Sequence, residues 1–134
     1  MKLQVRVSET DALGHVNNTS YFDYIEESTN YFYRQLNIPL DTRFNFVLAK
    51  VSCEFIKQAF YGNTLRLDSY PIEIGNKSIV LGTHIHNDET DELVAKGKSV
   101  LVFFDTENQE SLAIPSDMKA KIVAYRRDEN DEKL

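Results

Sequence analysis

One long amphipathic segment, residues 18–37, is the feature that most limits what this chain can fold into. Its polar residues recur every three or four positions, the period of an α-helix, and they are Asp23, Glu27, Asn30, Arg34 and Asn37. The same spacing gives a mostly apolar face made of Tyr21, Ile25, Ser28, Phe32 and Leu36. Asn17 or Asn18 can cap its start, and Ile38-Pro39 ends it, because a residue before proline avoids helical backbone angles. Such a helix needs a matching apolar surface from the rest of the chain.

Most of the remaining sequence alternates apolar and polar residues with a period of two, which predicts strands with one buried face. The first strand holds Leu3, Val5 and Val7. The second buries Val47, Ala49, Val51, Cys53 and Phe55 and exposes Lys50, Ser52 and Glu54. Further strands begin at Thr64, Ile79 and Leu93, with a bulge near 69–71 and a hairpin loop at 87–91. Pro115, in the first turn, opens a short helix that carries Met118, Ile122 and Tyr125.

Length and pattern predict a single α+β domain over residues 1–125 and a charged, frayed tail over 126–134. A chain of 134 residues is long enough to bury a core without a metal or a disulfide. We expect a strongly curved antiparallel sheet wrapped around the long helix. Because such a sheet has open edges, a homodimer is favoured over a monomer.

The charge balance and the single cysteine exclude several classes of protein. With 15 Lys and Arg against 21 Asp and Glu, the net charge of -6 argues against generic nucleic-acid binding. Cys53 has no partner for an internal disulfide, and no apolar run has the length of a signal core or a membrane span. We therefore expect a cytoplasmic protein that does not bind membranes.

The segment 9–18, between the first strand and the long helix, is dense in chemically active groups. Asp11 can act as a base or as a nucleophile, and Gly14 permits a tight backbone path. The helix start supplies backbone N–H groups without acceptors and the positive end of the helix dipole. Together these groups can attack a carbonyl carbon and stabilise its oxyanion.

Other polar residues allow a structural interpretation beside the functional one. His15 orients Asp11, lines a pocket, or is satisfied by the backbone. Glu26 lies off the main polar stripe, which favours a buried, paired carboxylate. His84 and His86 share a strand face, but without a third ligand at readable spacing we interpret this face as solvated rather than metal-binding. Cys53 is interpreted as a buried, inert thiol.

The sequence resembles the hotdog-fold acyl-CoA thioesterases of the 4-hydroxybenzoyl-CoA thioesterase type. The likeness begins with Asp-Ala-Leu-Gly-His-Val-Asn-Asn at 11–18, followed by Tyr21 and Glu26. It continues in order through 60–65, where Asn63 replaces the usual aspartate, then 75–78, 95–97 with 100–105, and Ile114-Pro115. The resemblance implies a hotdog fold: a curved antiparallel sheet around one central helix, with a short C-terminal helix.

The resemblance also implies an activity and a set of site residues. The reaction is hydrolysis of an acyl-CoA to a carboxylic acid and free CoA, without a metal or an organic cofactor, in a dimer or a tetramer of dimers with sites between subunits. The implied catalytic residues are Asp11, the backbone N–H near Asn18, and His15. The implied substrate-binding residues are Gly14, Val16, Asn17, Tyr21, Phe55, Lys77 and Ser78. Because a chain with a net charge of -6 needs a local cation for the CoA phosphates, Lys57 is a second candidate beside Lys77.

Two other functions stay open on the same fold. The first is a binding module for acyl-CoA or an acyl-carrier protein that performs no turnover, against which Asp11 counts. The second is a dehydratase or hydratase, which the thioesterase-like signature disfavours.

Overall fold

A computed structural model describes residues 1–128 and contains one antiparallel sheet packed around a central helix. In chain order the elements are β1 (Lys2–Gln4), α1 (Asn18–Gln35), β2 (Phe44–Phe55), β3 (Thr64–Ile74), β4 (Ser78–Asn87), β5 (Leu93–Asp105), β6 (Glu110–Ser111) and α2 (Ser116–Val123). The strands pair in the order β1-β3-β4-β5-β2, and the short β6 adds to β5. This is the predicted α+β architecture.

The helix α1 buries the face that its sequence pattern predicts. All five residues of the predicted apolar face are buried, and all five residues of the polar stripe are exposed. The helix ends at Gln35, two residues before the predicted end, because Asn37 adopts a left-handed backbone conformation with φ of 51°. Asn17 is the N-cap residue, but its side chain makes no capping hydrogen bond.

Two apolar clusters pack the helix against the sheet. Around the first half of α1, Tyr21, Tyr24 and Ile25 meet side chains of β3, β4 and β5. Around the second half, Phe32 and Leu36 pack with the opposite end of the sheet and with α2. Because the first cluster includes Val16 and Ala59, the same core also holds the segment that precedes the helix.

Strand boundaries differ from the prediction where the chain leaves regular pairing. β1 ends at Gln4, so Val5 is buried outside a strand, and Val7 is exposed in a short 3₁₀ turn over Val7–Glu9. In β2 the register shifts between Leu48 and Lys50. The resulting bulge exposes Ala49 and buries Phe46 in place of Val47.

Phe55 is exposed, although the alternating pattern of β2 predicts that its side chain is buried. The strand β2 lies at the end of the strand order, so nothing in the described part of the chain covers its outer side. The predicted bulge of β3 is present, slightly later than expected, between Pro71 and Glu73. At the last helix Pro115 is the N-cap residue rather than part of the first turn, and Tyr125 lies beyond the end.

The interpretation of His84 and His86 as a solvated face is wrong, because their side chains are buried, with 1% and 9% exposure. The ring of Tyr70 lies across Gly82, where an added Cβ would come within 2.9 Å of it. Its hydroxyl is 3.0 Å from His84 Nε2. The Arg127 guanidinium then lies 4.2 Å from the centre of the Tyr70 ring and covers it.

The charged tail begins against the sheet. The backbone N–H of Arg127 donates to the carbonyl of Pro71 at 2.9 Å, and its guanidinium donates to Asp68 at 2.7 Å. Residues 129–134, to which most of the predicted frayed tail belongs, lie outside the described residues. Within residues 1–128 neither helix combines the length and apolar character needed to cross a membrane.

Helix and sheet approach each other closely at Gly97. A Cβ at this position would lie 2.6 Å from Cδ1 and 2.9 Å from Cγ1 of Ile25. We therefore expect Gly97→Ala to lower the free energy of unfolding by about 1 to 3 kcal/mol through overpacking, as measured by urea denaturation. In an Ile25→Val background the cost should shrink, since Cδ1 is gone. Equal costs in both backgrounds would contradict this contact.

Candidate functional site

The segment before α1 is folded back on itself by a small antiparallel pairing. Thr10 pairs with Val16, and His15 pairs with Phe60 in the loop that follows β2. The backbone N–H of Asp11 donates to the carbonyl of His15 at 2.8 Å. Gly14 takes φ of 81° at the tip, a left-handed conformation that favours glycine. These contacts fix Asp11 relative to the helix start.

The carboxylate of Asp11 is exposed and oriented by backbone donors. Its Oδ1 accepts hydrogen bonds from the N–H groups of Leu13 at 2.8 Å and His15 at 3.1 Å. Both bonds end on the same oxygen, which leaves Oδ2 outside them. The carboxylate therefore has a defined direction without being enclosed.

The start of α1 faces the same space. The N–H of Asn17 donates to the carbonyl of Glu9 and the N–H of Ser20 to the carbonyl of Asn17, each at 2.9 Å. Asn18 is the first helical residue and is exposed. The first N–H groups of a helix have no acceptor within it and carry partial positive charge, so this end can stabilise an oxyanion.

A cleft of about 330 Å³ joins these groups to the end of β2. It is lined by Asp11, His15, Val16, Asn18, Tyr21, Phe55, Ile56, Lys57 and Gln58. Six predicted site residues thus lie together, and Gly14 and Asn17 belong to the same loop. One wall is apolar and the other carries a carboxylate and a helix start, as a polar reaction on an acyl group requires.

The predicted CoA contacts Lys77 and Ser78 do not share this cleft within one chain. They lie in and beside the turn between β3 and β4, where Ser78 is level with Val102, whereas Phe55 is level with Ala95. The separation along β5 is seven residues, or roughly 23 Å at about 3.3 Å per residue. Lys57, by contrast, lines the cleft.

His15 acts on Asp11 through its backbone, since its N–H donates to the carboxylate. The imidazole ring packs edge-on against Phe60, with ring centres 4.9 Å apart, and lines the cleft. The structure thus places the ring of His15 in the cleft wall and its backbone N–H on Asp11, and a role of His15 in the reaction stays a prediction.

A family model described as the thioesterase-like superfamily matches residues 5–122, which include the cleft and every strand of the sheet except β1. The chain belongs to this superfamily. The match extends over nearly all of the described fold, and its course agrees with the predicted resemblance.

Individual proteins similar to this thioesterase-like chain include one curated relative and several solved structures. YsmA of Bacillus subtilis (strain 168), described as uncharacterized, is 32% identical over 81 residues. That alignment covers 60% of this chain and 55% of YsmA, so the chain spans about half the length of this relative.

The structure of a predicted thioesterase from Bacillus stearothermophilus has a TM-score of 0.85 and 27% identity, and the match covers 96% of each chain. A 1,4-dihydroxy-2-naphthoyl-CoA thioesterase from Synechocystis has a TM-score of 0.82 and 17% identity over 92% of this chain and 93% of its own. These structures share the predicted hotdog fold.

Glu9 was not predicted as a site residue, although it connects the loop to the helix of this thioesterase-like domain. Besides accepting from Asn17, it accepts on Oε1 from the Tyr24 hydroxyl at 3.0 Å and from the N–H of Arg6 at 2.9 Å. Burial opposes ionisation of Glu9, but hydrogen bonds from Arg6 and Tyr24 outweigh it and lower its pKa. The opposite charges of Arg6 and Glu9, three residues apart, are the only sequence signal for this contact.

The predicted burial of Glu26 is wrong in the single chain. Glu26 is exposed and lines the groove between α1 and β2. The reason is the position of β2 at the sheet edge, which leaves this side of the helix uncovered by the described residues. In residues 1–128 no group of three His, Cys, Asp or Glu side chains is placed to hold a metal ion.

Cys53 packs against the first core cluster, and burial raises the pKa of its thiol to about 11. At pH 8 we expect iodoacetamide to modify the folded protein about tenfold more slowly than the protein in guanidinium chloride, since the smaller thiolate fraction outweighs the greater nucleophilicity of a basic thiolate. Mass spectrometry of timed samples measures both rates. Equal rates would show that this thiol is not protected.

Proposed function

We propose that this protein is a thioester hydrolase that converts an acyl-CoA to a carboxylic acid and free CoA. The observation that carries the proposal is the exposed, backbone-oriented carboxylate of Asp11 beside the start of α1, in a cleft with an apolar wall. Membership of the thioesterase-like superfamily supports the same reaction class.

Two routes fit this geometry. As a general base, Asp11 takes a proton from a water molecule while the water oxygen attacks the carbonyl carbon, and the C–S bond then breaks with proton transfer to the leaving sulfur. As a nucleophile, a carboxylate oxygen attacks directly, the thiolate leaves, and water hydrolyses the resulting mixed anhydride. In both routes the carbonyl oxygen becomes negative and is stabilised by the N–H groups near Asn18.

The expected contributions are large enough to identify by mutation. A positioned general base typically contributes about 10²- to 10⁴-fold in rate. One oxyanion donor contributes about 2.7 to 4 kcal/mol. A burst of thiol that exceeds acid release, or a trapped acyl-enzyme, would select the nucleophilic route over the general-base route.

The second candidate is a binding module that holds acyl-CoA or an acyl-carrier protein without turnover. It is favoured by the two backbone hydrogen bonds to Asp11 Oδ1, which give this carboxylate a structural role as well. Thiol release from a panel of acyl-CoAs, followed with a thiol-reactive dye, separates the two functions. Binding of these compounds without any release would establish the module.

Asp11→Asn should reduce kcat by at least about 10²-fold, because it removes the carboxylate with almost no change in volume. Stability should change little, since an amide oxygen still accepts from Leu13 and His15. The matched control is Asp117→Asn on α2, which removes the same charge from an exposed position far from the cleft. Parental activity in Asp11→Asn would overturn the catalytic assignment.

We also propose that the site is completed by a second copy of the chain. The strand β2 presents 12 residues at one edge of the sheet, and its Leu48 is 55% exposed. An apolar, hydrogen-bonding edge of this length is suited to pairing with another strand. The cleft of one chain does not contain Lys77 and Ser78. A second copy would supply these two residues to the site.

Light scattering at micromolar concentration should therefore give at least twice the chain mass of 15.5 kDa. Leu48→Glu should shift the protein toward monomer, because it places a charge in the paired edge. Val123→Glu serves as the control, since Val123 has a comparable exposure of 47% but lies on α2. A fully active monomer would contradict the proposed interface.

A further inference from the structure

Lys57 is the only lysine or arginine among the described residues that line the cleft. Its backbone is held firmly where the chain leaves β2. The N–H groups of Ile56 and Lys57 both donate to the carbonyl of Val94, at 2.9 and 3.0 Å. The side chain therefore starts from a fixed point at the cleft rim.

The ammonium of Lys57 forms an ion pair with Glu92, at the end of the loop between β4 and β5. Of the other acidic residues of this loop, Asp88 contacts Lys2 and Arg66, each at 3.0 Å, and Asp91 contacts Arg66. Glu89 accepts a hydrogen bond from the N–H of Thr64 at 3.4 Å. Glu92 is thus the loop carboxylate that forms an ion pair with a residue of the cleft.

We propose that the Lys57–Glu92 ion pair sets the affinity of the cleft for the phosphate-bearing part of CoA. Lys57 binds a phosphate oxygen, and Glu92 competes with that phosphate for the same ammonium. The inference rests on the proposed hydrolase function and assigns the recognition of CoA to these two residues.

Competition follows from the charges and the exposure of the pair. The chain carries a net charge of -6, so it needs a local cation to bind the negatively charged phosphates of CoA. Lys57 and Glu92 have side-chain exposures of 56% and 47%, and exposed ion pairs are weak, so a phosphate can displace the carboxylate at small cost. The hydrogen bond from Lys57 lowers the pKa of Glu92. An ordinary glutamate is already ionised at neutral pH, so this competitor carries its charge there.

The two residues should have opposite effects on binding. At low salt we expect Lys57→Gln to raise KM for an acyl-CoA about fivefold and Glu92→Gln to lower it about two- to fivefold, with kcat little changed. In the double variant the effect of Glu92→Gln should disappear, because the ammonium for which it competes is absent. Lys119→Gln on α2 is the charge-matched control and should leave KM at the parental value.

Two further comparisons make the assignment specific. The same acyl group on a truncated thioester without the nucleotide phosphates should show no effect of either substitution. Both effects should also shrink as ionic strength rises, because exposed charges are screened over about 8 to 10 Å at 0.1 to 0.15 M salt.

Several results would overturn the proposal. One is an effect of Glu92→Gln on KM that persists in the Lys57→Gln background. It would indicate that Glu92 repels CoA through the general electrostatic field and does not compete for the ammonium. Another is an equal effect on the truncated thioester. A third is loss of CoA affinity in Lys77→Gln but not in Lys57→Gln, which would assign the phosphates to the distant turn.

Calorimetric titration with CoA itself separates this proposal from the hydrolase function. If no thioester is hydrolysed, the hydrolase proposal fails, yet the order of CoA dissociation constants across the parent and the three variants still tests the ion pair. The expected order is Glu92→Gln tightest, then parent, with Lys57→Gln and the double variant equally weak. Any other order refutes the role of the pair.

Discussion

The burial of one face of α1 against the sheet is the contact on which the rest of the structure depends. Gly97 removes the side chain that would keep Ile25 away from β5, so helix and sheet approach closely. The same cluster includes Val16, which lines the cleft, and Ala59, whose carbonyl accepts a hydrogen bond from the N–H of Val16. The packing that stabilises the domain therefore also sets the distance between the Asp11 loop, the helix start and the end of β2.

The helix and the site loop were predictable because both depend on local order in the sequence. The 3.6-residue period places Ile25 and Phe32 on a buried face, and Asp11 precedes a recognisable helix start. The structure differs from the prediction where contacts between distant parts of the chain override the alternation of buried and exposed residues along a strand. Ala49 leaves the ladder at a bulge, and His84 is buried because Tyr70, from another strand, crosses Gly82 to reach it. No pattern within one strand contains that information.

Ion pairs divide the acidic chain into regions of different local charge. Arg66 and Lys2 neutralise much of the loop between β4 and β5, while Glu9 is enclosed by Arg6 and Tyr24. The cleft differs, because Asp11 keeps its charge exposed beside the positive end of a helix. A protein with a negative net charge can thus have a site that contains both a negative and a positive group. The net charge alone therefore does not predict whether the site attracts or repels an anionic ligand.

The bulge at Ala49 also affects the behaviour of β2 toward neighbouring molecules. A regular 12-residue edge would accept a foreign strand in many alignments, including those that lead to open-ended aggregation. One extra residue interrupts the repeat of donors and acceptors and increases the local twist. Few alignments then satisfy both halves of the edge at once, so this irregularity makes the edge selective for a partner whose shape matches the interruption.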